Sequence, residues 1–317
     1  MTTFGYLLSA EEHGPQELVR QAKAAERAGF ESLWISDHFH PWLDAQGQSP
    51  FVWTVIGALA EATSLPIATA VTCPLVRVHP VIVAQAAATS AAITGGRFRL
   101  GVGTGEALNE HVIESRWPPA AERREMLEEA VGLMRELWTG KLVSHRGRHY
   151  QVDTARLYTL PDEPPPVYVS GLGEISTELA GRIGDGFVTT RPSAESVELF
   201  HKSGGSGKPA VGGLKACYAA DEASARRTVH RLWPTQGIKG EASQILPLPR
   251  HFEQLAESVT EEEAVGGSPC GPDPEVHAQA LRAYVEAGFD EVYVGQIGPE
   301  QDAFFDFYAR EVLPRVR

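Results

Sequence analysis

Eight short apolar runs alternate with helix-like segments along this 317-residue chain, and that alternation limits the fold more than any other feature. The runs are Phe4 to Leu8, Leu33 to Ile35, Pro66 to Thr72, Arg97 to Leu100, Pro166 to Ser170, Gly186 to Thr190, Gly213 to Ala219 and Glu291 to Gly295. Helical patterns fill the gaps. Pro15 opens one and Gly29 stops it, and Pro80 to Ile93 is Ala-rich. Glu122 to Trp138 carries Leu127, Val131, Met134 and Leu137 on one face. Strand–helix–strand repetition requires parallel strands joined by crossover helices. Eight units in one chain of this length predict an α/β protein, a (β/α)8 TIM barrel, as a single domain over 1–317; a doubly wound sheet is the alternative. Two interruptions read as insertions. A hairpin centred on Arg146-Gly147-Arg148 follows strand four, and an irregular stretch with a polar helix from Phe252 to Ala264 follows strand seven. Ser203 to Lys208 is Gly/Ser-rich and reads as a mobile exposed loop.

The formal charge is −13, which argues against a nucleic-acid partner or an anionic membrane surface. Cys73, Cys217 and Cys270 have no C-x-x-C spacing, so they form no zinc or redox motif, and an odd count fits a reducing cytoplasm. No run approaches the length of a membrane span, and no leader pattern precedes the first strand. The partner expected is a small molecule.

In a barrel, the loops that follow the strands share one mouth. They carry Glu11, then Asp37, His38 and Trp42, then Val71 to Pro74, then Gly101-Val102-Gly103-Thr104-Gly105-Glu106 with Asn109. Gly171 to Gly173, Thr189-Thr190 and Gln296 join the same mouth. A histidine and a glutamate placed there are the parts of a general acid/base pair. No Lys, Ser or Cys nucleophile stands out in these loops. Backbone N–H groups at Gly171-Leu172-Gly173, opening a helix, offer an anion site. The His38-x-His40 pair invites a metal reading, but the later strand ends supply no further His or Asp, so no metal is expected. His40, His79 and His111 read as ordinary loop and helix-start histidines, and Glu125, Glu128 and Glu129 as a solvated helix face.

Three stretches carry a family resemblance: Ser36-Asp37-His38-Phe39-x-Pro41-Trp42, Gly101 to Glu110, and Ala180-Gly181-Arg182-x-Gly184-Asp185-Gly186-Phe187. The chain resembles the luciferase-like flavin and deazaflavin oxidoreductases, and within them the coenzyme F420-dependent glucose-6-phosphate dehydrogenase group. The resemblance implies a homodimeric barrel holding F420, with FMN and a monooxygenase reaction, or a non-catalytic F420 carrier, as alternatives. It implies His38 as the base for the substrate hydroxyl and Glu106 as the acid at the deazaflavin ring, with Trp42 and Glu11 beside the substrate. Asp37, Ala70, Val71, Thr104, Gly105, Glu106 and Asn109 fall on cofactor positions, with a cis peptide at Ala70-Val71, and Ser170 to Gly173 join them. Arg282 and Gln254 fall on substrate-phosphate positions. Gln254 stands where a lysine is expected, and the second lysine position falls near Arg191 to Ser193, so the phosphate anchor departs from the pattern.

Overall fold

The computed structural model describes residues 2–113 and 116–317. Its strands in chain order are β1 (Thr3–Leu8), β2 (Ser32–Ile35), β3 (Ile67–Thr69), β4 (Phe98–Val102), β5 (Val143–Arg146), β6 (Gln151–Ala155), β7 (Val167–Ser170), β8 (Gly186–Thr189), β9 (Ala210–Ala216) and β10 (Glu291–Gln296). Eight of them close a barrel in the order β1-β10-β9-β8-β7-β4-β3-β2, and β5 with β6 forms a separate antiparallel hairpin. Every barrel pairing is parallel. The (β/α)8 barrel expected from the alternation is therefore the fold, with the hairpin inserted after β4 and a run of short helices inserted after β9.

Helices clothe the barrel because each carries one apolar stripe. Leu18, Ala22 and Ala25 turn inward from the helix Pro15–Arg27, and Leu127, Val131, Met134 and Leu137 from Ala120–Leu137; all are buried. Each large apolar side chain so buried contributes about 1.5–3 kcal/mol. Inside the barrel, alternate strand positions supply Leu7, Trp34, Ala68, Tyr168, Val188, Val211 and Tyr293. At the strand-start end Glu291 accepts hydrogen bonds from the Trp34 indole and the Arg99 guanidinium, both at 2.6 Å. Arg99 also lies over the Trp34 and Tyr168 rings, with centroids at 5.3 and 5.6 Å. This plug closes the barrel at the end away from the loops that carry the candidate site.

Three expectations are corrected. Strand β9 begins at Ala210, not Gly213, because Gly212 and Gly213 lie inside it rather than before it. A Cβ on Gly212 would stand 2.2 Å from the Tyr284 ring and one on Gly213 2.1 Å from the Tyr293 ring, so rings press on both faces of a strand that only glycine permits. The stretch that begins at Ser203 is helical as far as Gly205, in the turn His201–Gly205 whose Ser203 packs where a Cβ on Gly181 would sit, 2.8 Å away, while Ser206 and Gly207 are exposed as expected. The polar helix expected over 252–264 is two helices, Pro249–Ala256 and Glu261–Val265. Thr260 separates them by capping the second, its side chain and that of Glu263 satisfying each other's backbone N–H groups.

Candidate active site

One cavity of about 810 Å³ opens at the strand-end mouth of the barrel. Glu11, Asp37, His38, Trp42, Ala70, Val71, Thr104, Gly105, Glu106, Asn109, Ser170 and Leu172 all line it, although they come from loops after five different strands.

The glycines of β4 and its loop explain how these loops close together. A Cβ on Gly101 would stand 1.9 Å from the Thr69 carbonyl oxygen, one on Gly103 2.8 Å from Val71, and one on Gly105 2.5 Å from the Cys73 sulfur. Alternate residues of one loop thus press on alternate residues of its neighbour. Gly105 alone of the three needs a left-handed backbone, at φ 68°. The glycines permit this close approach of the two loops, and Gly103 and Gly105 also line the cavity. The Ala70-Val71 peptide is cis, at the position the family resemblance implies.

His38 donates from Nδ1 to the His40 carbonyl at 3.2 Å. A carbonyl oxygen only accepts, so Nδ1 carries a proton. That Nε2 stands 3.7 Å from Oε1 of Glu11. The other Glu11 oxygen accepts from Ser36 Oγ at 2.6 Å and Ser9 Oγ at 3.1 Å. Burial pushes the Glu11 carboxyl up, but His38, Lys215 and the Ser36 hydroxyl outweigh it and hold it below its ordinary value. The Trp42 ring packs beside His38, centroids 5.4 Å apart, and edge-on against Phe252 at 5.1 Å.

Asn109 joins the histidine loop to the glutamate. Its Oδ1 accepts the backbone N–H of Phe39 at 2.8 Å and of His40 at 3.1 Å, and its Nδ2 reaches Glu106 Oε2 at 3.5 Å. Asp37 is also committed within the protein: it accepts from Thr72 Oγ1 and from the Arg77 guanidinium, each at 2.8 Å. Arg77 turns its backbone N–H and Nε to Glu110, at 2.7 and 3.4 Å. Burial raises the Glu110 carboxyl against this pull from Arg77. Burial also pushes up the Cys73 thiol, with Glu110 and Glu106 adding to the effect.

Four expected site residues lie outside the cavity wall. Gly171 donates its N–H to the Val188 carbonyl, and a Cβ there would stand 2.9 Å from Thr177 N, so this glycine seats a helix. Gly173 precedes the helix Glu174–Ile183 and faces open space. Arg282 pairs with Glu275 at 2.6 Å on the outer face of Pro274–Glu286, while Ala280, Ala283 and Tyr284 turn to the cavity from the i, i+3, i+4 face. Gln254 is exposed because Phe252, two residues earlier, occupies the inward face of its helix. Gln296, at the end of β10, braces both backbone groups of Tyr218.

Two site residues escaped sequence reasoning. Arg77 clamps Asp37 to Glu110 from a loop with no motif. Lys215 lines the cavity with its ammonium 3.9 Å from the centre of the Trp233 ring. The alternation Val211, Gly213, Lys215 would have turned it inward once the strand began at Ala210.

A model of the luciferase-like monooxygenase family matches residues 1–291. The chain is 36% identical over 327 residues to the F420-dependent glucose-6-phosphate dehydrogenase of Nakamurella multipartita, covering 99% of this chain and 96% of that one. It is 36% identical over 325 residues to the F420-dependent hydroxymycolic acid dehydrogenase of Mycobacterium tuberculosis, covering 99% and 88%. An F420-dependent secondary alcohol dehydrogenase, solved with an F420–acetone adduct, superposes with a TM-score of 0.92 at 30% identity, covering 100% of this chain and 99% of that one. With its family match spanning the barrel and its relatives aligned end to end, this chain belongs to the luciferase-like monooxygenase family.

Proposed function

We propose that this protein is a coenzyme F420-dependent oxidoreductase that moves a hydride between an alcohol or carbonyl substrate and the deazaflavin, with His38 as base and Glu106 as acid. The observation that carries the reading is the His38 ring itself. The His40 carbonyl holds its Nδ1–H, its Nε2 stands 3.7 Å from buried Glu11, and the ring lines the cavity where the substrate would sit.

The cavity suits a flat ring system with one polar edge. Ala70, Val71, Leu7 and Val188 give it an apolar wall, and Thr104, Glu106 and Ser170 give it hydrogen-bonding groups. When bound, F420 supplies the hydride acceptor or donor. The chain's own residues handle the protons. As the carbinol C–H bond breaks, the substrate O–H proton passes to Nε2 of His38, and Glu11 stabilises the resulting charge. Glu106 holds a proton at its carboxyl toward the ring. Asn109 keeps these two arms in register through its bonds to both loops. In the direction of carbonyl reduction, the same groups return the protons.

Fluorescence titration with F420 and FMN side by side tests the cofactor. Tenfold tighter binding of FMN, about 1.4 kcal/mol, would overturn the reading. Exposed Phe51, Ile82 and Ile93, at two neighbouring helices, support a homodimer, which light scattering of the purified chain tests. Among the described residues no helix is long and apolar enough to cross a membrane.

A further inference from the structure

Ser36 opens the loop that carries Asp37 and His38, yet the proposed chemistry gives its hydroxyl no task. The residue follows β2 directly, is buried and lines the cavity. Its backbone N–H donates to the Leu8 carbonyl at 3.4 Å. Its Oγ accepts the Ala10 N–H at 2.9 Å and donates to Oε2 of Glu11 at 2.6 Å. A hydroxyl has a single proton, and this one is aimed at the carboxylate. The 2.6 Å separation falls in the range of about 2.5–2.7 Å for an O–H bond to an ionised oxygen. Ser9 reaches the same Glu11 oxygen at 3.1 Å, but it belongs to Glu11's own loop and also stands 3.5 Å from Glu12. Of these two hydroxyls, Ser36 is the one that joins the β2 loop to the β1 loop.

A carboxylate serves a histidine only while one of its oxygens stays turned to the ring. Glutamate has several rotatable side-chain bonds, so that pose costs entropy to hold. Oε1 of Glu11 stands 3.7 Å from Nε2 of His38, too far for a hydrogen bond between them to set the pose. Anchoring Oε2 sets it instead, because the carboxylate is planar and its other oxygen then has one place to go. Ser36 and His38 flank Asp37 at the end of one strand. A hydroxyl fixed at Oε2 therefore also fixes where Oε1 falls relative to the ring. We propose that Ser36 is a positioning residue whose hydroxyl clamps one Glu11 oxygen and so presents the other to His38. The proposal rests on the proposed roles of His38 and Glu11.

Two measurements on the full-length protein test this. The first needs neither F420 nor substrate: carbon-detected NMR titration of the Glu11 carboxyl, with the resonance assigned by its loss in E11Q. The charged groups facing that carboxyl are Glu12 from its own loop, His38 from the β2 loop and Lys215 from β9, and S36A leaves all three in place. Ser36 donates to the charged form, so S36A should raise the midpoint by about one pH unit. S36T keeps the hydroxyl and should restore it; should S36T not fold, S36C keeps a weak donor and should give an intermediate midpoint. An unchanged or lowered midpoint in S36A overturns the proposal. The second measurement is a double-mutant cycle on kcat with F420 and 2-propanol. S36A should lower kcat by about tenfold with little change in KM. In an E11Q background S36A should lower it no further, because Ser36 acts through Glu11. A serine that only supported the fold would add its cost in either background, so additive losses overturn the proposal. Should the wild type turn over no alcohol, the proposed function falls, and the Glu11 titration decides the role of Ser36 by itself.

Discussion

Asn109 Oδ1 accepts the backbone N–H of Phe39 at 2.8 Å, across 70 residues of sequence, and so ties the histidine loop to the glutamate loop. Removing that amide leaves the N–H groups of Phe39 and His40 without their acceptor, at about 1–3 kcal/mol for each group left buried. N109A should therefore lower the denaturation midpoint and slow turnover by roughly tenfold or more, since a small misplacement of a base is costly. N109D keeps the acceptor and should recover most of the stability but not the activity, because it sets a second carboxylate beside Glu106. Denaturant melts together with kcat for the three proteins check the ordering; equal stability of N109A and wild type would remove the tie.

His38→Ala should lower kcat by about 10²–10⁴-fold, the usual cost of losing a general base, while F420 binding changes little. Glu106→Gln keeps the shape but holds no carboxylic proton, and should also slow chemistry. Near wild-type kcat in both variants would make the pocket a cofactor cradle only.

The barrel and most of its mouth are legible in the sequence because both follow from periodicity. Eight alternating units specify the fold, and a strand's end specifies its loop's position, so Glu11, His38, Trp42 and Glu106 come together without any contact being known. What failed is what depends on local register and side-chain direction. Gly212-Gly213 resembles a turn until two tyrosine rings are seen to need the space. That shift hid Lys215. Arg282 and Gln254 were placed by alignment alone, and helix phase turns both away from the cavity. Arg77 bears no motif, because its partners Asp37 and Glu110 lie on different loops.

Glucose 6-phosphate should be a poor substrate. Its phosphate needs charged donors, each contributing about 1.5–3 kcal/mol. Arg282 is spent on Glu275, and position 254 is an exposed glutamine. Arg191 and Lys215 are the lysine or arginine side chains on the cavity wall, and Gln236, Ser243, Gln244 and Ser268 make up neutral parts of it. Steady-state kinetics with F420 should give a higher kcat/KM for a secondary alcohol without a phosphate. A micromolar KM for glucose 6-phosphate with fast turnover would contradict this.

The last prediction concerns the plug at the opposite end of the barrel. Glu291 is buried, and although burial alone would raise its carboxyl, Arg99, Ser32 and Trp34 hold it below its ordinary value. E291Q removes the charge and leaves Arg99 buried without its counter-ion, which costs about 3–5 kcal/mol when one partner of such a pair is lost. The melting temperature should fall accordingly at neutral pH. The pH dependence has a definite sign. A carboxyl with a depressed native value stabilises the fold above the pH where the unfolded chain's carboxyl titrates, near 4.5, and that contribution disappears as pH falls through the lower native value. The gap in melting temperature between wild type and E291Q should therefore be widest at neutral pH, hold down to about the ordinary carboxylate range and narrow below it. Differential scanning calorimetry over that range reads it directly. A gap that is constant or widens on acidification would mean that the Arg99–Glu291 pair does not carry the stability of this end of the barrel.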